Sequence, residues 1–315
     1  MIVALAGGVG GARLAVGLAA LCAPERLTIV VNTGDDFEHL GFSISPDLDT
    51  VMYTLAGVAD PERGWGRADE TWSFMETLGK LGGQDWFRLG DRDLAVHVMR
   101  TQALARGERL SQITRALAKL FGVTHAIVPM CDEPVRTLVL SESGELAFQD
   151  YFVRRRCAPV VSGFRFAGAE KAGPPDVLQA LMQRDDVEAA IVCPSNPFIS
   201  IGPILAVAAI REWLEARRFP VIAVSPIVGG QAVKGPAAKM MRELGLEVSA
   251  LAVARHYGPL VDGWVIDDCD AQHAPELKAL GKRVAITNTL MCDRARSIEL
   301  ARVVLALARE AGGWH

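Results

Sequence analysis

The sequence predicts an α/β fold: a Rossmann-like, doubly wound, mainly parallel sheet with a largely helical insertion. Three observations point there. The first 35 residues read as strand, glycine turn, helix, strand and polar loop, which is a βαβ unit. The apolar runs do not alternate, as expected of parallel strands covered on both faces. Similar units return after residue 189. One α/β domain over residues 1–315 is therefore expected, with approximately 46–165 as an inserted, largely helical subdomain covering the ligand crevice.

The elements follow in order. Ile2 to Ala6 is a short apolar strand, Gly7 to Gly11 a glycine turn, and Ala12 to Cys22 an apolar helix. Leu27 to Val31 is β-branched and apolar and ends at Asn32-Thr33-Gly34-Asp35-Asp36. Helical patterns then cover Leu48 to Leu55, Ala68 to Leu78, Asp93 to Ala105 and Ser111 to Leu120. Shorter strand-like pieces lie at Thr137 to Leu140 and Ala147 to Phe152. Ala189 to Cys193 is a strand, followed by a helical pattern over about 203–216. Val221 to Val224, Val261 to Ile266 and Val284 to Ile286 read as further strands. Pro236 suits the first turn of a helix, and Arg294 to Ala311 closes the chain.

Composition narrows the function. Half of the 315 residues are hydrophobic and 22% are charged, which excludes a disordered chain. The net charge of −4 offers no basic excess for nucleic acid, so a phosphate would have to be held locally. The six cysteines form no CxxC, which excludes a zinc ribbon or redox pair and suggests a reducing compartment. No signal peptide and no apolar run of membrane-spanning length is found, so a cytoplasmic protein is expected. A homodimer is the base-rate assembly.

Five segments carry polar chemistry. Gly8-Val9-Gly10-Gly11-Ala12-Arg13 suits backbone approach to a phosphate, with Arg13 adding charge, although Arg13 breaks the dinucleotide fingerprint and no Walker lysine follows. A plain tight turn is the alternative. Asp35 and Asp36 at the second strand end suit a ribose hydroxyl, a metal or a helix cap. Asp47 and Asp49 sit where a helix begins; one acid accounts for a cap, leaving the other for Mg²⁺ or a substrate hydroxyl. Trp86-Phe87-Arg88-Leu89-Gly90-Asp91-Arg92-Asp93 offers arginines for an anion and aromatics for a ring, or a salt-bridged surface loop. The turns at Ser195-Asn196 and Ser225 suit a nucleotide, or are ordinary turns. The six histidines show no metal spacing, and His97 reads as packed or solvated. No nucleophile elbow is present. Phosphoryl or nucleotidyl transfer fits what remains.

Taken in this order, the motifs resemble the 2-phospho-L-lactate transferase family of deazaflavin coenzyme biosynthesis. Ala6 to Arg13, Val31 to Asp36, Ile44 to Thr50, Leu89 to Asp93, Pro194 to Pro197 and Ser225 to Ile227 carry the likeness nearly end to end. The Pro-Asp-Leu-Asp-Thr and Gly-Asp-Arg-Asp pieces are the specific ones. The resemblance implies transfer of a phospho-acid group from a guanosine-diphospho-linked three-carbon acid to the ribityl hydroxyl of 7,8-didemethyl-8-hydroxy-5-deazariboflavin. GMP is released and Mg²⁺ assists. The acid is of the phospholactate, phosphoenolpyruvate or phosphoglycerate type. Asp49 and Asp47 are the implied catalytic acids, and Asp35, Asp36, Asp47 and Asp49 the candidate metal ligands. Asp49, Arg88 and Arg92 would face the deazaflavin. Gly8, Gly10, Gly11, Arg13, Ser195, Asn196 and Ser225 would hold the donor. A non-catalytic nucleotide-sugar-binding regulator of related fold is the alternative, and a nicotinamide dehydrogenase a weaker one.

Overall fold

The computed structural model describes residues 1–313; His315, the last of the six histidines, lies outside them. The main sheet has seven strands: β1 (Ile2–Ala6), β2 (Leu27–Val31), β3 (Ala126–Pro129), β4 (Ala189–Val192), β5 (Val221–Val224), β6 (Gly263–Ile266) and β7 (Arg283–Ile286). All neighbours are parallel, in the spatial order β3-β2-β1-β4-β5-β6-β7. Ile2 lies opposite Leu27 on one side and Ala189 on the other.

Every residue of β1 is buried, and alternate side chains enter different cores. Val3 and Leu5 join one cluster, while Ile2, Ala4 and Ala6 join the other. The second cluster is closed by α1 (Gly8–Ala19) and the C-terminal helix Arg294–Gly312, through Leu14, Leu18, Leu300 and Val304. These two helices cross closely at Gly17, where a Cβ would stand 2.0 Å from the Ser297 carbonyl oxygen. The sheet is doubly wound, as predicted.

The middle of the chain departs from expectation. Residues 46–165 do not form one insertion, because β3 lies among them and belongs to the main sheet. They belong instead to two long crossovers. The first, between β2 and β3, holds the hairpin Phe37–His39/Phe42–Ile44, then α2 (Pro46–Ala56), α3 (Ser73–Lys80), α4 (Asp91–Ala105) and α5 (Leu110–Leu120). The second, between β3 and β4, is built around an antiparallel sheet of Gly144–Ala147, Arg136–Ser141 and Val161–Ala167. β3 has only four residues directly after a helical run, too few to show a period of its own. The expected strand at 147–152 ends at Ala147 and gives way to a π-helical turn, Asp150–Arg154. The helical pattern over 203–216 is two helices, Gly202–Ala206 and Ala208–Glu215, bent by 90° around an extended Val207. Among the described residues no single helix is long and apolar enough to cross a membrane.

Candidate active site

Strand order reverses between β1 and β4, and a crevice opens at such a switch point, beyond the carboxyl ends of the strands. Here it is a cleft of about 740 Å³, within the range of small-molecule sites. Ser195 ties its two lips together: its Oγ donates to the Gly7 carbonyl (2.8 Å) and accepts from the Gly7 N–H (3.2 Å).

The glycines after β1 are needed first for packing. A Cβ on Gly10 would stand 2.1 Å from the Pro194 carbonyl oxygen, and one on Gly11 2.8 Å from Ser195 Oγ. Gly8 has φ of +60°, which glycine adopts freely. Gly8, Gly10 and Arg13 line the cleft. Gly11 does not; it faces Ala6 and Ser195. Arg13 Nη1 donates to the Met291 carbonyl (2.7 Å). Arg13 stands close enough to Lys234 that burial first, and the Arg13 charge second, hold that ammonium below its usual pKa.

The acids separate into three environments. Asp35 and Asp47 share the cleft floor. Asn32 Nδ2 donates to Asp47 Oδ2 (2.9 Å), while Asp35 Oδ1 is buried with no partner. Burial, then the charge of Asp47, pushes the Asp35 carboxyl well above the usual range. Burial also raises Asp47 to about 6, against the Asn32 amide and the Gly8 N–H. This is the donor set a hard divalent cation suits: carboxylate oxygens, an orphaned buried atom and no countercharge. Asp36 is different. It does not line the cleft, it accepts from Ser45 Oγ (2.7 Å), and burial raises it to about 7.

Asp49 is already paired. Asp47 and Asp49 occupy the first turn of α2, and its cap residue Ser45 makes no side-chain cap bond. Arg100, 2% exposed, grips Asp49 bidentately: Nη1 donates to Oδ2 (3.1 Å) and Nη2 to Oδ1. Behind the pair, His97 Nδ1 lies 3.8 Å from Asp49 Oδ2 and His97 Nε2 lies 3.2 Å from Asp93 Oδ2. Tyr53 Oη donates to Asp93 Oδ1 (2.5 Å). Burial alone would raise the Asp93 pKa, but His97 and Tyr53 outweigh it and hold the carboxyl below the usual range. Asp49, Asp93 and His97 bring three ligand atoms within 4.8 Å of one another. The Arg100 guanidinium already supplies their cation, so a metal on Asp49 is disfavoured by like-charge repulsion.

The wall from residues 86 to 88 is aromatic and basic. Phe87 meets Phe37 edge-on at 4.8 Å, and His39 meets Trp86 at 5.0 Å. Arg88 lies over the Trp72 ring at 4.3 Å, in the range of a cation–π contact. Trp86, Phe87 and Arg88 reach the cleft; Arg92 does not. Its side chain turns to the Ala68 carbonyl (3.4 Å) and its N–H donates to Glu70 (2.8 Å).

Ser195, Asn196 and Ser225 all line the cleft, but each side chain is already committed, Ser195 to Gly7 and the other two to their own turns. Asn196 Oδ1 accepts from Phe198 N (2.9 Å), and Ser225 Oγ donates to the Ile227 carbonyl (2.7 Å).

Sequence reasoning missed the Tyr53–Asp93–His97–Arg100 network and the wall from Phe148 to Arg156. The first had a signal: Asp93, His97 and Arg100 stand at i, i+4 and i+7, one face of α4.

Comparison with known proteins identifies the family. A family model described as 2-phospho-L-lactate transferase CofD matches residues 2–305. The chain is 45% identical to a phosphoenolpyruvate transferase of Kitasatospora aureofaciens over 98% of each chain. It is 39% identical to a 2-phospho-L-lactate transferase of Methanosarcina acetivorans, over 97% of this chain and 98% of that protein. A crystal structure of a UPF0052-family protein from Bacillus halodurans superposes with a TM-score of 0.62 at 14% identity, covering 96% and 98% of the two chains. That likeness supports the fold alone.

Proposed function

The chain belongs to the 2-phospho-L-lactate transferase family, and we propose that it moves a phospho-three-carbon-acid group from a guanosine-diphospho-linked donor to the ribityl hydroxyl of 7,8-didemethyl-8-hydroxy-5-deazariboflavin. The ribityl oxygen bonds to the phosphorus nearer the acid. The bond from that phosphorus to the bridging oxygen breaks, GMP leaves with the electron pair, and the hydroxyl proton passes to solvent. Phosphoenolpyruvate is our first choice of acid, because relatives bearing that name are the more similar. Two polar substrates suit a soluble cytoplasmic enzyme.

The observation that carries this reading is the make-up of the cleft. It combines an acid pair without countercharge, an aromatic wall beside Arg88, and a glycine lip beside Arg13 and Lys234. Asp35 and Asp47 would hold Mg²⁺, which when bound neutralises charge on a diphosphate. Arg100 fixes Asp49 as a hydrogen-bond acceptor that orients the ribityl hydroxyl, and Arg88 with Trp86 and Phe87 holds the deazaflavin ring. Arg13 and Lys234 attract the phosphates.

The test is transfer itself. The purified protein, the deazariboflavin and guanosine-diphospho-linked phosphoenolpyruvate or phospholactate are combined with and without Mg²⁺, and products are read by mass. We expect a Mg²⁺-dependent product, faster with phosphoenolpyruvate. No product from either donor would refute the reading; faster phospholactate transfer would reverse the choice of acid.

A further inference from the structure

A second cleft wall comes from Phe148, Gln149, Phe152, Val153 and Arg156, in a segment that no motif singled out. It is unusual in two ways. Asp150–Arg154 is a π-helical turn, a rare form that is frequent at functional sites. Directly after it, Arg156 and Cys157 both adopt left-handed backbone, with φ of +49° and +57°. Non-glycine residues rarely do so, and the strain persists only where the surroundings impose it. Here Arg155 N donates to the Asp150 carbonyl (2.8 Å) and Cys157 N to the Tyr151 carbonyl (2.9 Å).

The consequence falls on one side chain of an arginine triplet. Arg154 and Arg155 both pair with Asp150, at 3.7 and 2.8 Å. Arg156, aimed elsewhere by the backbone reversal, lines the cleft. The other cleft arginines are engaged: Arg13 with the Met291 carbonyl, Arg63 with Asp60, and Arg88 on Trp72. Arg156 has no hydrogen bond, ion pair or ring contact among the described residues. The same segment is pinned beside the metal-binding acids, since Gln149 Nε2 donates to the Asp35 carbonyl (3.4 Å).

An uncommitted guanidinium held toward a cleft by a strained backbone calls for an oxyanion. We propose that Arg156 is a substrate-contacting residue that clamps an oxyanion of the donor, either its diphosphate or the carboxylate of its three-carbon acid. This rests on the transferase reading above.

The test uses Arg156→Gln and Arg156→Gly in the full chain. Both should raise the donor KM by roughly ten- to hundredfold, the span expected for one charge-assisted contact, and leave the deazariboflavin KM unchanged. Arg156→Gly removes the strain as well, so its melting temperature should not fall. Titration with GDP separates the two anions. If GDP binding weakens too, the diphosphate is clamped; if only the acid-linked donor weakens, the carboxylate is. Unchanged donor KM in both variants, or equal losses for donor and acceptor, overturns the proposal while transfer by the unmodified chain leaves the transferase reading standing. No transfer by the unmodified chain overturns both.

Discussion

Replacing Arg100 by leucine isolates what the buried ion pair does. Arg100 is 2% and Asp49 5% exposed, so the variant strands a carboxylate where water cannot reach it. Removing one partner of such a pair costs about 3–5 kcal/mol. The carboxyl can limit that loss by taking a proton. From its ordinary value of 3.8, protonation costs about 1.4 kcal/mol per pH unit, hence about 4 kcal/mol at pH 7 and about 2 kcal/mol at pH 5. The sign is fixed. In the variant the folded pKa of Asp49 lies above the unfolded one, so stability is present at low pH and is lost as pH rises. Urea unfolding of Arg100→Leu from pH 5 to 8 should therefore show a deficit that grows with pH. The double variant Arg100→Leu/Asp49→Asn should remove most of the slope. A pH-independent deficit, or one that survives unchanged in the double variant, would refute a buried charge as its cause. The same logic warns that Asp49→Asn alone strands Arg100, so its lost activity would mix chemistry with stability.

Three further outcomes follow from the geometry. The metal-free protein should lose stability as pH rises through about 6 to 7, the values to which burial raises Asp47 and Asp36, with Asp35 shifted in the same direction; Mg²⁺ should restore melting temperature at pH 8 but little at pH 5, and an equal effect at both would argue against the Asp35–Asp47 site. Asp36→Asn should stabilise the protein above pH 7 while leaving the Mg²⁺ response intact, since Asp36 lies off the cleft; loss of that response would make Asp36 a ligand after all. Gly10→Ala should cost about 3 kcal/mol or more, because its methyl would stand 2.1 Å from a carbonyl oxygen. Gly8→Ala should cost only about 1–2 kcal/mol of backbone strain, as its nearest neighbour would be 3.8 Å away; similar losses at the two positions in chemical denaturation would contradict the packing account.

The sheet was legible because its strands are short apolar runs with polar ends, and that signal is local. β3 was not, since Ala126–Pro129 is too short to carry a period and pairs with a strand about a hundred residues earlier, and of the antiparallel sheet in the second crossover only the central strand was read, as Thr137 to Leu140. Among the site acids, sequence could mark Asp35, Asp47 and Asp49 by their place at element ends. It could not say that Arg100, half a hundred residues on, neutralises only one of them. That partner decides which acids are left to a metal, and it is set by how α4 packs, not by any motif.

The glycine turn shows the converse. Its glycines drew attention as a phosphate cradle, yet Gly10 and Gly11 are accounted for by the close approach of α1 to Pro194 and Ser195. The later turns' polar side chains are likewise occupied, Ser195 by the Gly7 backbone on the opposite lip and Asn196 and Ser225 by their own turns. What the cleft has in surplus is charge without a countercharge: Asp35 and Asp47 on the floor and Arg156 on the wall. The buried acids are costly to a chain that binds nothing, and so is the strained backbone that presents the exposed Arg156. A ligand carrying both a cation and oxyanions would satisfy all three at once, which is why the case for a metal-assisted phosphate substrate rests on these side chains and not on the glycine motif.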